Sequence, residues 1–224
     1  MKLITLGCSL APIDYWPRWS RQYLKISEEN HTHIQGGARG NKINLYLLNR
    51  HILEHGLDDT FVIWELSGWE REDSIVPEEK IRDPELLPPD LTMLVNNMYA
   101  PGSTYVTWGG SNQPNKDLHR GIRSHHNNPS ATLEQVVTQL CLLNKCCKVL
   151  VFRGWSGALP KDSWHKIAET FNQHGVNYMR EAYADWCAEH HDLGEDWHPK
   201  NKPAKDFFNK IFIPKLQEIF NNAN

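Results

Sequence analysis

No stretch of this chain approaches the ~20 consecutive apolar residues that a helix needs to cross a bilayer, which argues against a helical membrane span. No CxxC pair is present, and the five cysteines (8, 141, 146, 147 and 187) are odd in number. That count provides neither a disulfide framework nor a zinc ribbon, and a reducing compartment fits it best. Charge of one sign is also missing: 27 acidic against 24 basic residues leave a net charge of -3. A field this weak recruits no polyanion, so nucleic acid is a poor partner. There is no internal repeat and no low-complexity tract. The start, from Met1 to Cys8, superficially resembles a lipoprotein processing site, but its apolar run is shorter than the roughly 7–15 residues of a signal segment. The expectation is a protein of the cytoplasm, or one assembled into something built there.

What is present is an ordinary globular composition, 40% hydrophobic and 23% charged over 224 residues. That length suits one domain spanning 1–224, with a core large enough to need no staple. Leu3 to Leu6, Phe61 to Trp64 and Val149 to Phe152 are short apolar runs without alternation, as in parallel strands covered on both faces. A weaker run surrounds Val176 and Tyr178. Helical spacing joins Ile43, Leu47 and Leu48 and stops at Gly56, a natural left-handed cap. Leu133, Val136, Val137 and Leu140 repeat it, with Thr132 and Gln135 as a capping box. Phe207, Phe208, Ile211, Phe212, Leu216 and Ile219 form a last amphipathic stretch, which Pro214 should kink or interrupt. Strands alternating with helices predict a three-layer α/β/α sandwich with a mostly parallel sheet. Residues 83–129 are rich in Pro, Gly, Asn and His and read as an irregular insertion: a lid, an interaction surface or a decoration.

In an open parallel sheet, sites form at the carboxyl ends of the strands. Ser9 follows the first strand there. Gly36-Gly37-Ala38-Arg39-Gly40-Asn41 precedes a helix start, whose free N–H groups suit an anion. His198 follows Glu195 and Asp196 just before the last helix. A serine at a strand end, a Gly-rich helix start and an acid beside a histidine are parts of an acyl-transfer site. The plainer alternative for His198 is a surface histidine beside a helix-starting proline.

These segments resemble the blocks of the SGNH (GDSL-like) hydrolase family, in the family's order and across nearly the whole chain. Gly7-Cys8-Ser9 resembles the G-D-S block, with Cys in place of Asp. The turn at 36–41 resembles the second block, and 195–198 the last. The resemblance implies Ser9 as nucleophile, His198 as general base and then acid, and Glu195 or Asp196 as the acid that orients it. Glu195 matches by position and Asp196 by residue type. The implied oxyanion donors are the backbone N–H groups of Ser9 and Gly40, with Gly37 as substitute. The chain departs from the family in the third block, where Trp69 stands in place of an Asn whose amide completes the hole. Losing one such donor typically costs ~10²–10³ in rate. Asn41 is a candidate replacement amide, or simply a helix cap.

Arg71 is a candidate for binding a substrate anion with its planar fork, or else pairs with its acidic neighbours. Nine tryptophans are many. Trp69 and Trp197, with Trp16, Trp19 and Trp155, offer flat walls suited to sugar rings, which suggests a carbohydrate ester. The pairs His31/His33, His125/His126 and His190/His191 suggest zinc, but no motif supplies a full ligand set. The expectation is a serine esterase, deacetylating a glycan or another small ester, with no metal or organic cofactor. The alternative is a non-catalytic binding or structural module that keeps the scaffold. Proteins resembling this G-C-S variant are often encoded by phages and other viruses, so that module would have protein partners in a virion or similar assembly.

Overall fold

The computed structural model describes residues 1–7, 10–12, 14–35, 40–67, 72–77, 95–96, 103–108, 129–155, 163–193 and 198–221. Five strands form one sheet: β1 (Lys2–Gly7), β2 (His31–Gln35), β3 (Thr60–Leu66), β7 (Lys148–Arg153) and β8 (Asn177–Ala182). Their order is β2-β1-β3-β7-β8, and every pairing is parallel. Helices cover both faces, which makes the predicted three-layer α/β/α sandwich.

Period-two alternation explains the apolar runs. Leu3, Phe61, Ile63, Leu150 and Phe152 point into one core, while Ile4, Leu6, Val62, Trp64 and Val151 point into the other. A strand buried on both faces has no position at which a polar side chain meets water. On the second face lie α2 (Asn41–His55), α3 (Pro129–Leu143) and α4 (Ser163–Gln173). Gly56 ends α2 at φ 70°, the left-handed geometry expected of it.

The first face carries α1 (Trp16–Tyr23), α5 (Tyr183–His190) and a long C-terminal helix. In α1, Pro17 sits in the first turn, where its missing N–H costs nothing, and Trp16, Trp19 and Ser20 form the buried face. The C-terminal helix is built of α6 (Asn201–Phe207), a π-turn (Phe208–Phe212) and α7 (Ile213–Asn221). Pro214 does not interrupt it. The Ile213 N–H reaches back five residues to the Phe208 carbonyl. That widened turn accommodates the proline ring while the backbone at Phe207, Phe208 and Ile213 stays right-handed helical.

Two further expectations need correction. The helix read from Thr132 begins at Pro129, so Thr132 lies inside it and is no cap; proline starts a helix well. Within the stretch read as irregular, β5 (Val95–Asn96) and β6 (Ser103–Trp108) pair with β4 (Glu72–Pro77) in an antiparallel sheet ordered β4-β6-β5. The signal was β-branched and aromatic content in Thr104, Tyr105, Val106 and Thr107, hidden because hydroxyls break the hydrophobic pattern. Among the described residues, no helix is long and apolar enough to cross a membrane.

Phe212 is fully buried and packs its ring against Trp16, Phe152 and Phe208. Phe212→Ala should cost about 3–5 kcal/mol. At about 2–4 °C per kcal/mol for a chain of this size, thermal unfolding followed by circular dichroism should drop by roughly 6–20 °C.

Candidate functional site at the carboxyl edge

The strand order reverses direction between β1 and β3: the chain passes from β1 outward to β2, then returns to β3 and continues to β7 and β8. Doubly wound sheets open a crevice at such a point, at the carboxyl ends of the strands. Buried polar side chains concentrate there. Of seven among the described residues, Asn41, Asn44, Glu65 and Ser67 all sit where β1 and β3 end and α2 begins. Burying polar groups is costly, so their gathering at one locus marks it out from the apolar sheet behind it.

Asn41 is the first residue of α2, and Gly40 is its N-cap, so the cap alternative for Asn41 does not hold. Its Oδ1 accepts from the Ser67 N–H at 2.9 Å, and its Nδ2 donates to the Ser67 carbonyl at 3.1 Å. The pair locks the N-terminus of α2 to the end of β3. Asn44, one turn on, donates from Nδ2 to the Gly7 carbonyl at 3.4 Å. Its Oδ1 and the Ser67 Oγ are buried and have no hydrogen-bond partner among the described residues.

Glu65 was not singled out in the sequence. It is fully buried in β3, on the face toward α1 and α5. A methyl group on Gly7 would collide with its Oε2, and one on Gly154 with its Oε1. The side chain thus lies across the ends of β1 and β7, in space that both neighbours leave by lacking a Cβ. Leu10 and Ala11 close over the same spot. The Tyr183 hydroxyl is buried nearby and has no hydrogen-bond partner among the described residues, and its pKa stands well above the usual phenol range. Loss of water is the main cause, followed by Cys187, Glu65 and Tyr15. A lone glutamate inside Phe61-Val62-Ile63-Trp64-Glu65-Leu66 was the available signal.

His198 is described and exposed. Three ring contacts show which end of the molecule it occupies. Phe207 packs on Tyr183 just past β8, Phe212 on Phe152 near the end of β7, and Phe220 on Phe61 near the start of β3. The C-terminal helix therefore runs from the carboxyl edge to the amino edge, and His198, just before it, belongs to the carboxyl edge. Gly7, two residues before Ser9, ends β1 on that edge. Ser9, Gly37, Trp69, Arg71, Glu195, Asp196 and Trp197 lie outside the described residues.

Trp16 and Trp19 are buried in the core rather than forming a wall. Their rings face Phe152, Phe212 and Phe208, because α1 turns them onto the sheet. Trp155 packs partly against the same cluster.

The pair His31/His33 belongs to β2, an edge strand that sequence reading missed because His-Thr-His carries no apolar run. The two rings flank the buried Thr5 hydroxyl, each at 2.8 Å, and His33 Nε2 lies 3.0 Å from the Ala11 carbonyl. One assignment of protons satisfies all three contacts. His31 Nε2–H donates to Thr5, Thr5 donates to His33 Nδ1, and His33 Nε2–H donates to Ala11. Both nitrogens of His33 are then occupied, which leaves it none for a metal. Among the described residues, no three His, Cys, Asp or Glu side chains group as a metal site. His125 and His126 lie outside the described residues. His190 stacks on Trp186, and His191 pairs with Asp206 at 3.1 Å.

No protein-family model matches the chain, and no curated protein matches it.

Burial, with smaller contributions from His33 and Arg21, holds His31 at a pKa of about 4. The unfolded chain takes up this proton near pH 6.5, and the folded one does not. The contribution to stability is therefore intact above that pH and is lost as pH falls toward 4. Allowing for partial exposure, it is on the order of 1–2 kcal/mol. Urea unfolding at pH 7 and 4.5 should show a smaller acid loss in His31→Asn than in the wild type.

Proposed function

We propose that this chain is a serine ester hydrolase of SGNH type, acting on a glycan ester or another small acyl ester. In this reading the Ser9 Oγ attacks the ester carbonyl carbon while its proton passes to His198 Nε2. The tetrahedral oxyanion is held by the backbone N–H groups of Ser9 and Gly40, with Gly37 as substitute. The α2 N-terminus at this edge adds its positive end. The intermediate collapses, the alcohol leaves with the proton from His198, and water then cleaves the acyl-serine by the same steps. Glu195 or Asp196 orients the imidazole. Arg71, Trp69 and Trp197 are the candidates to face the substrate. The chemistry requires no metal or organic cofactor.

The observation that carries the reading is that β1 ends, and the chain reaches His198, on the same edge of the sheet, where the strand order reverses and buried polar side chains gather. A second reading has its own support. The Asn41 amide is engaged on both its oxygen and its nitrogen by the Ser67 backbone, so it is poorly placed to replace the Asn that Trp69 displaces. That favours a non-catalytic structural or binding module, with protein partners in a larger assembly such as a virion.

Purified wild type should label with a fluorophosphonate and hydrolyse a short-chain nitrophenyl ester. Ser9→Ala should abolish both signals, and His198→Ala should reduce ester turnover by at least about 10³-fold, the scale of losing a triad member. A folded wild type that does neither would favour the structural module.

A further inference from the structure

We propose that Glu65 is a positioning residue for this edge: its carboxylate sets the placement of the β1 and β7 ends and of the Leu10–Ala11 segment above them. Its effect on rate rests on the ester-hydrolase reading; its structural content does not.

The cost of the arrangement is the first reason. A fully buried glutamate gives up its hydration, so the protein around it must satisfy its polar atoms. Every neighbour of Glu65 along β3, from Phe61 to Leu66, is apolar and buried, so the strand forms without any charge. Nothing in the packing of β3 itself calls for glutamate at this position.

Space is the second. Gly7 and Gly154 each present bare backbone to one carboxylate oxygen, and a Cβ at either would overlap it. Glycine weakens a strand and its ends, and here two strands carry it on opposite sides of one side chain. The Ala11 Cβ and Leu10 Cδ1 border the same two glycines, so the carboxylate lies directly beneath the chain leaving β1. Moving or neutralising it disturbs that chain first.

The surrounding groups are the third. Tyr183, whose phenol burial holds neutral, faces Glu65 from the start of α5, with Cys187 on the same helix and Tyr15 ahead of α1. The Tyr183 hydroxyl adds a further buried polar atom to this locus and makes no hydrogen bond among the described residues. The Ala184 N–H donates to the Gly154 carbonyl at 2.7 Å, and the Gly154 N–H to the Leu66 carbonyl at 2.9 Å. The elements that meet at Glu65 are thus already tied to one another, and the carboxylate fixes their separation.

The test compares wild type with Glu65→Gln, which keeps the shape and replaces the carboxyl group by an amide, and with Gly154→Ala, which keeps the carboxyl group and displaces it. Amide hydrogen exchange at Gly7, Leu10, Ala11 and Gly154 should accelerate at least ten-fold in both variants, while the amides of α3 and of Val149–Val151 stay unchanged. Fluorophosphonate kinetics should show the maximal labelling rate falling ten-fold or more, with the half-saturating probe concentration unchanged. Wild-type exchange at those four amides in either folded variant overturns the proposal. Acceleration spread evenly over the whole sheet overturns it too, since a purely structural role would give that. Local acceleration in a protein whose wild type never labels would leave the positioning role standing and remove the esterase reading alone.

Discussion

The molecule is governed by a sheet buried on both faces. With apolar side chains filling most of each side of β1, β3 and β7, buried polar groups gather chiefly at the ends of the strands, Thr5 with its two histidine partners excepted. Parallel pairing then makes one end different from the other, because every carboxyl terminus emerges on the same edge. The described chain uses that edge heavily. Asn41 holds the end of β3, Asn44 holds the end of β1, and Glu65 lies across the ends of β1 and β7. Each contact links two elements, so the edge is cross-braced where a loop-built surface would be loose.

The C-terminal helix closes the same geometry from the other side. Its aromatic residues cross the sheet diagonally, from Tyr183 at one edge to Phe61 near the other. Because the helix stays continuous through the π-turn, Phe207, Phe212 and Phe220 share one buried stripe despite Pro214. A break at that proline would free the helix start to swing, and the residues before it, His198 included, would lose their fixed relation to β1.

Much of this was legible in the residues. The apolar runs gave the three inner strands because burial on both faces leaves no other pattern, and Gly56 gave the end of α2 because only a left-handed residue closes that turn. The outer parts were harder. β2 is an edge strand whose histidines answer to Thr5 and Ala11, a tertiary partnership that no local pattern announces. α1 is short, and its tryptophans resembled a ligand wall until packing turned them inward. Thr132 and Asn41 carried good capping chemistry, yet one helix begins at Pro129 and Gly40 takes the cap position of the other. Glu65 was visible but unread: it directly follows the run from Phe61 to Trp64 that was read as buried on both faces, and the strand carries that burial one turn of the pleat further.

That acid bears on which of the two proposed functions the chain favours. Glu65 gives up its hydration, and the two strand-end glycines that make room for it offer no side chain to pack. These features meet where the strand order reverses. Departures from local stability rules that converge on one locus are expected at working sites, where position matters more than strength. The committed Asn41 amide weakens the case for an oxyanion hole of the usual make-up. The space that Gly7 and Gly154 leave around Glu65 supports the proposal of chemistry at this edge.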